Sequence, residues 1–549
     1  MLITTLCLSA SLAATNSYAD EISDYVEACE TLGWSGVVLV RRRGKALHHD
    51  GHGFADRVAL RPVEPDTRFE IASISKPITA AAVLVLVDEG DLDLDESIGQ
   101  LLPGVPAHAR EITVRHLLSH TSGMPRTAGG GHGSDLEKAV AGYLSTPPVR
   151  EPGQKDEYWN GGYALLAGIV ETIGKQPFED FVREHVFEPA GMDASGFTGD
   201  DIDASLQAIG YESGQRPRLA TEHPYQTAGW HYRGMGAVVS TAGDMVRFIE
   251  ALRGGDIVEK RIAALMWEPT VGPYGLGFGT SEAARGSTRV SHGGDVRGFH
   301  SYVTTNEDLR IDVVVLSNVG PFQTYRMTWN LEALATGDDP PYSMPPERAN
   351  WREGDAVALV GDWHTSDDRT YRIDLGPNGG LVGRWSTRGD DRADPGREFI
   401  EWIAAGETEK VRSRTDERFA SHWPQQLTGA IWSKHVEAFG ALESIEVDGV
   451  DETDSGSVTI YFTLNHERGE AHAKMVLTNG RVNYLDLGTK GEDAASDVLP
   501  QTFWMPVGKR ELVRYDWSKN EVAGRLKLSG DPAKTSRIEL EGTRLTREK

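Results

Sequence analysis

Phe69-Glu70-Ile71-Ala72-Ser73-Ile74-Ser75-Lys76-Pro77-Ile78-Thr79-Ala80-Ala81-Ala82-Val83-Leu84-Val85-Leu86 runs into a segment that is apolar on nearly every face. A surface helix shows one apolar stripe, whereas a helix with no polar face is buried between layers. The pattern predicts a buried helix from Ser75 to Leu86, stopped at Gly90. Ser73 and Lys76 stand three apart at its start, so their side chains should meet one turn from each other. A serine hydroxyl is a weak nucleophile until a base takes its proton. Lysine serves as that base only if burial lowers its ordinary pKa of about 10.4. The apolar helix supplies that burial, and its N-terminus turns backbone amides toward Ser73.

Further helical periods occur at Ala139 to Leu144, Gly162 to Ile173, Pro177 to Val186 and Asp244 to Leu252, and an amphipathic one runs from Ile22 to Leu32. Val37 to Val40 and Ala46 to His49 flank Arg43-Gly44-Lys45 as a hairpin, and strand-like runs follow at Thr288 to Ser291, His300 to Thr304 and Ile311 to Leu316. Helices and strands are segregated, which predicts an α+β fold with an antiparallel sheet flanked by helices.

At 549 residues the chain exceeds one ordinary domain. With 39% hydrophobic and 25% charged residues it has a globular composition, not that of a disordered, collagenous or membrane-bundle protein. A formal charge of -26 repels nucleic acid over most of the surface, leaving small neutral or cationic partners. Leu2 to Ala14 is apolar but too short to span a bilayer, and Ser17-Tyr18-Ala19 suits signal peptidase. Residues 1–19 are therefore expected to be a signal peptide, which makes the protein periplasmic or secreted with no transmembrane segment after its removal. Only Cys29 would then remain, so no internal disulfide can form.

By chance Ser-x-x-Lys arises roughly once or twice in a chain of this length, so other segments must support it. Tyr158-Trp159-Asn160 puts a phenol and an amide just before a predicted helix, and His292-Gly293-Gly294-Asp295 puts paired glycines after a strand. Ser-x-x-Lys, Tyr-x-Asn and His-Gly-Gly in this order resemble the serine β-lactamase-like and penicillin-binding family, particularly its class C-like branch. Leu117-Leu118-Ser119-His120-Thr121-Ser122-Gly123 and Phe187-Glu188-Pro189-Ala190-Gly191-Met192 extend the likeness over about Gly36 to Asn318. The resemblance implies a β-lactamase-like domain over 20–336 with Ser73 as acyl-accepting nucleophile and Lys76 and Tyr158 handling protons. Asn160 would bind the substrate amide, and His292, Gly293, Gly294 and Asp295 would form the facing edge, the amides of Ser73 and Asp295 holding the oxyanion. It implies no metal and no organic cofactor.

β-Lactamases usually carry Lys where this chain has His292, so a carboxylate anchor is weakened. The His-Gly-Gly form resembles the D-aminopeptidase, peptidase and esterase members, whose substrates are small amides, short peptides or esters. Alternatives are a D,D-carboxypeptidase or weak β-lactamase acting on cell-wall peptide or its mimics, and a penicillin-binding-like sensor without turnover.

Several other features read as structural. His116 and His120 are four apart but lack the Glu of a zinc peptidase, so packing is expected. The glycines around His132 read as a mobile rim loop, and His48, His49 and His52 as exposed hairpin residues. Asp295 and Arg297 fit a local salt bridge as well as substrate reading. Tyr225, Trp230, His231 and Tyr232 fit a pocket wall as well as a core.

A Pro-rich linker over 337–352 precedes a β-rich region over 353–549. Val360-Gly361-Asp362-Trp363 and Phe503-Trp504-Met505-Pro506 look like the opening and closing of a small lipocalin-like barrel (353–403 plus 498–549). The alternating strands from Val458 to Tyr484, turning at Asn479-Gly480, look like an inserted cone-like domain over 404–497. A covering or substrate-gating role is expected for this region.

Overall fold

Runs of β-branched residues with no polar alternation are buried on both faces of a sheet, and two such runs lie side by side here. β1 (Gly36–Arg42) pairs with β2 (Lys45–His52), and β3 (Gly279–Glu282), β4 (Thr288–Val296), β5 (Phe299–Asn306) and β6 (Ile311–Ser317) complete an antiparallel sheet of order β3-β4-β5-β6-β1-β2. The computed structural model describes residues 18–547 apart from 58, 131–132, 213–216, 225–228, 321–322, 347, 350, 352, 367–369, 377–379, 387–390, 418–419, 421–422, 453–456, 488–501, 517–520 and 533–534. Most of the expected signal peptide, with Tyr225, Gly131 and His132, lies outside the described residues.

α1 (Ser75–Glu89) is buried at every residue from Ser75 to Leu86 and packs on α2 (Asn160–Gly174). Gly90 ends α1 in the left-handed conformation, its region accepting the helix end as glycine does most easily. α3 (Ala242–Gly254) and α4 (Thr324–Thr336) cover the sheet. Thr305 and Asp312 are cross-strand partners that both bond Arg253 of α3, while the next residue, Asn306, turns to the opposite face and bonds Glu332 of α4. The period-2 alternation of a strand thus puts the two helices on opposite faces. The α+β reading of this region holds. His116 and His120 do not share a helix face, because the helix Val114–Leu118 ends before His120, whose φ is +57°.

The contacts divide the chain into two units, one made of Met1–Glu27, Trp34–Gly210 and Arg218–Met344, the other of Ala28–Gly33, Tyr211–Pro217 and Pro345–Lys549. The second contains a closed barrel of eight strands, from Gly361–His364 to Thr543–Thr546, sealed by the pairing of His364 with Thr546. Its interior is filled by Trp363, Tyr371, Trp504, Leu381, Leu512 and Leu526, and the Trp504 indole donates to the Tyr371 hydroxyl at 2.7 Å. Between its third and fourth strands lies a four-stranded meander, Leu442–Glu452 to Arg481–Asp486, whose turn at Asn479 and Gly480 has the two positive φ values of a two-residue hairpin. The sequence boundary at 403/404 is corrected. Helix Asp394–Ala404 belongs to the inserted domain, since Phe399, Ile400 and Ile403 pack on Ile460, Phe462 and Met475. The barrel's first half ends at Ser386.

Among the described residues no helix is long and apolar enough to cross a membrane. Cys29 is buried and is in no disulfide among the described residues. Because α1 is surrounded on all sides, Leu84→Ala is expected to cost about 2–5 kcal/mol, read as a fall in the denaturation midpoint with an unchanged slope.

Candidate active site

Ser73 sits in a one-turn 3-10 helix, Ala72–Ile74, at the entry to α1. Lys76 is fully buried, with Nζ 2.9 Å from Ser73 Oγ and donating to the Met235 carbonyl at 2.9 Å. The same helix end holds the 234–238 segment twice more: Thr79 Oγ1 donates to the Gly234 carbonyl at 2.7 Å, and Ser75 Oγ accepts from the Val238 amide at 3.0 Å. Three side chains of one helix start therefore fix a segment that closes over the lysine. Among the described residues no carboxylate pairs with Lys76, and burial alone pulls its pKa well below the lysine range.

Tyr158 places its ring 4.9 Å from Lys76 Nζ and hydrogen-bonds Ser73. Burial pushes its pKa up to about 12 against the opposing effect of the Ser73 bond, so the phenol is neutral. The three proton-handling groups read from the sequence thus converge. Asn160, the first residue of α2, and Asp295 line with Ser73 a cleft of about 450 Å³. Gly129 and Gly130 are on its rim, Arg126, His231 and Tyr232 on its wall, and Trp230 is core. Asp295 accepts from His300 Nδ1 at 2.9 Å, and Arg297 donates to the Pro224 carbonyl.

The edge of β4 approaches Ser73 closely. A Cβ on Gly294 would lie 2.0 Å from the Ile71 carbonyl oxygen and 3.2 Å from the Ser73 amide nitrogen, so only glycine fits there. Ala72, held between these backbones, has φ +46°, a conformation that is strained for alanine. Gly293 faces the other way, toward the Tyr302 ring, because alternate residues of a strand point to opposite faces.

His292 faces the site but is not a cation. Its Nδ1 donates to the Gly293 carbonyl at 2.7 Å, which leaves Nε2 to accept from the Tyr274 hydroxyl 2.8 Å away. Burial first, then the neighbouring Lys76, lowers its pKa to about 3. Tyr274 is a residue the sequence reading missed; its signal is a lone aromatic in Gly272-Pro273-Tyr274-Gly275, just ahead of β3. Glu70 was missed as well. It is fully buried, accepts from the Tyr232 hydroxyl and pairs with Arg218, and burial raises its pKa to about 7. With Ile71, whose amide donates to the Val238 carbonyl at 3.0 Å, it anchors the strand that leads to Ser73.

Fold and cleft together define a serine hydrolase. Residues 22–337 match the family described as Beta-lactamase, and the chain belongs to that family. Penicillin-binding protein 4* of Bacillus subtilis is 28% identical over 350 residues, covering 58% of this chain and 77% of that protein. The putative penicillin-binding protein PbpX of the same organism is 29% identical over 301 residues, covering 54% and 73%. The octameric penicillin-binding protein homologue from Pyrococcus abyssi shares the fold over 86% of this chain and 98% of its own, at 20% identity and a TM-score of 0.50.

Four outcomes are expected. Gly294→Ala lowers the rate of Ser73 labelling by a fluorophosphonate about 10²-fold, as loss of an aligned oxyanion donor does. Gly293→Ala, which meets only the edge of a movable ring, is expected to lower it far less. With the neutral Lys76 amine as base, labelling is expected to rise with pH and to level off well below the ordinary lysine value. Lys76→Arg, permanently charged, removes that rise.

Proposed function

We propose that the protein hydrolyses small amides, short peptides or esters through an acyl-enzyme on Ser73. The observation that carries this reading is the buried Lys76 amine, 2.9 Å from the serine oxygen and with no carboxylate partner among the described residues. The amine takes the Ser73 proton as the oxygen attacks the substrate carbonyl. The amides of Ser73 and Asp295 stabilise the oxyanion. Tyr158, neutral at working pH, gives its proton to the departing nitrogen or oxygen and regains one from the Lys76 ammonium. Water then attacks the ester with its proton taken along the same route, releasing the acid and restoring the Ser73 hydroxyl.

A neutral His292, held by Tyr274, offers no fixed charge for a carboxylate on the leaving side. This favours esters and amides with uncharged leaving groups over β-lactams and C-terminal D-amino acids. The penicillin-binding proteins among its relatives favour a second reading, action on or retention of cell-wall peptide. The apolar amino-terminal run supports an exported, periplasmic or secreted enzyme.

A panel of p-nitrophenyl esters, D-amino-acid anilides and nitrocefin decides. Esters or anilides are expected to turn over with nitrocefin at least about 10²-fold slower, a difference of ~3 kcal/mol in transition-state stabilisation. Ser73→Ala should abolish all of it. Full hydrolysis by Ser73→Ala would overturn the mechanism, and stable penicillin labelling without ester or anilide turnover would favour retention over catalysis.

A further inference from the structure

The loop that carries Tyr158 hangs from a single turn. The Val149 amide donates to the Gly123 carbonyl at 2.8 Å, the Gly153 amide to the Thr121 carbonyl at 2.7 Å, and the Glu157 amide to the His120 carbonyl at 2.8 Å. The Trp159 amide donates to His120 Nδ1 at 3.2 Å. One histidine therefore accepts from the residue before Tyr158 with its main chain and from the residue after it with its side chain. Its ring also lies against the Tyr158 ring, with centroids 4.3 Å apart.

Only a neutral histidine with its proton on Nε2 can accept at Nδ1. Nε2 is buried, and among the described residues it has no acceptor. The groups facing the ring are Lys76, His292, Tyr158, Tyr163 and Tyr274. Burial and the two basic neighbours hold its pKa well below the ordinary value, so it is neutral throughout the working range. The left-handed φ of +57° narrows the choice of residue further, since His, Asn and Asp are the non-glycine residues that tolerate it best.

We propose that His120 is a positioning residue for the reaction at Ser73, fixing the Tyr158 phenol by clamping the amides on both sides of it. The inference rests on the acyl-enzyme reading. The sequence reading of His120 as packing accounts for its burial but not for a side-chain acceptor aimed at the Trp159 amide.

The full chain carrying His120→Gly, His120→Asn, His120→Gln, Tyr158→Phe and the Gly/Phe double substitution tests this, with p-nitrophenyl acetate turnover and fluorophosphonate labelling as readouts and thermal melting as the folding check. Glycine keeps the positive φ and the Glu157 bond while removing the ring. It is expected to lower kcat about 10²-fold, the scale of a displaced general acid–base group, with KM little changed. Asparagine puts an acceptor where Nδ1 was and should recover most of that loss, whereas glutamine reaches the Nε2 position and should not. In the Tyr158→Phe background the glycine substitution should cost little more, because both changes disable one unit.

Unchanged kcat in His120→Gly, equal loss in the Asn and Gln variants, or fully multiplying losses in the double variant would each overturn the proposal. If His120→Gly does not fold, the Asn and Gln variants decide in the same way. A wild type that neither turns over the ester nor labels overturns the acyl-enzyme reading and this inference with it; a wild type that does both, alongside a fully active His120→Gly, overturns this inference alone.

Discussion

The arrangement depends on one uncompensated group, the Lys76 amine sealed in apolar surroundings with a carbonyl, a serine hydroxyl and two tyrosine rings for company. Desolvating an ammonium costs several kcal/mol, and cation–π contacts return about 0.5–2 kcal/mol each, so with no carboxylate beside it among the described residues the neutral form wins. The amine is held neutral at this position because the helix around it is apolar on every side. The anchoring of Gly234, Met235 and Val238 by Thr79, Lys76 and Ser75 keeps water from that pocket.

The opposite wall follows a different rule. There the requirement is close approach, met by the absence of a side chain at Gly294 and by strain at Ala72. Burial that neutralises Lys76 also neutralises His292, whose charge the neighbouring Lys76 disfavours further. The cleft therefore keeps its charges at the exposed margin, on Arg126 and Asp295, while the reacting centre is built from neutral groups.

The carboxy-terminal unit solves a packing problem of its own. A small barrel must fill its interior, and Trp363, Tyr371 and Trp504 do so with one internal hydrogen bond satisfying the indole and phenol. The inserted domain buries the apolar face of its meander under helix Asp394–Ala404. An alternating pattern marks the strands but does not say which helix covers them. That is why the boundary between barrel and insertion was misplaced by one helix.

Much of the molecule is written locally. The unbroken apolar face of Ser75 to Leu86, the continuous β-branched runs of β1 and β6 and the Asn479-Gly480 turn each specify their element through neighbouring residues alone. The Ser73–Lys76 pair follows from helical spacing. Tyr274 beside His292 and His120 beside Tyr158 do not, because the partners lie 18 and 38 positions apart and their meeting depends on how loops cross the sheet edge. The direction faced by Gly293 and Gly294 likewise needed the register of β4 against β5. Sequence alone determined which elements form and which side chains could do chemistry, since those depend on spacing and polarity along the chain. Tertiary structure decided which of those groups are charged, because ionisation depends on how much water the rest of the fold excludes.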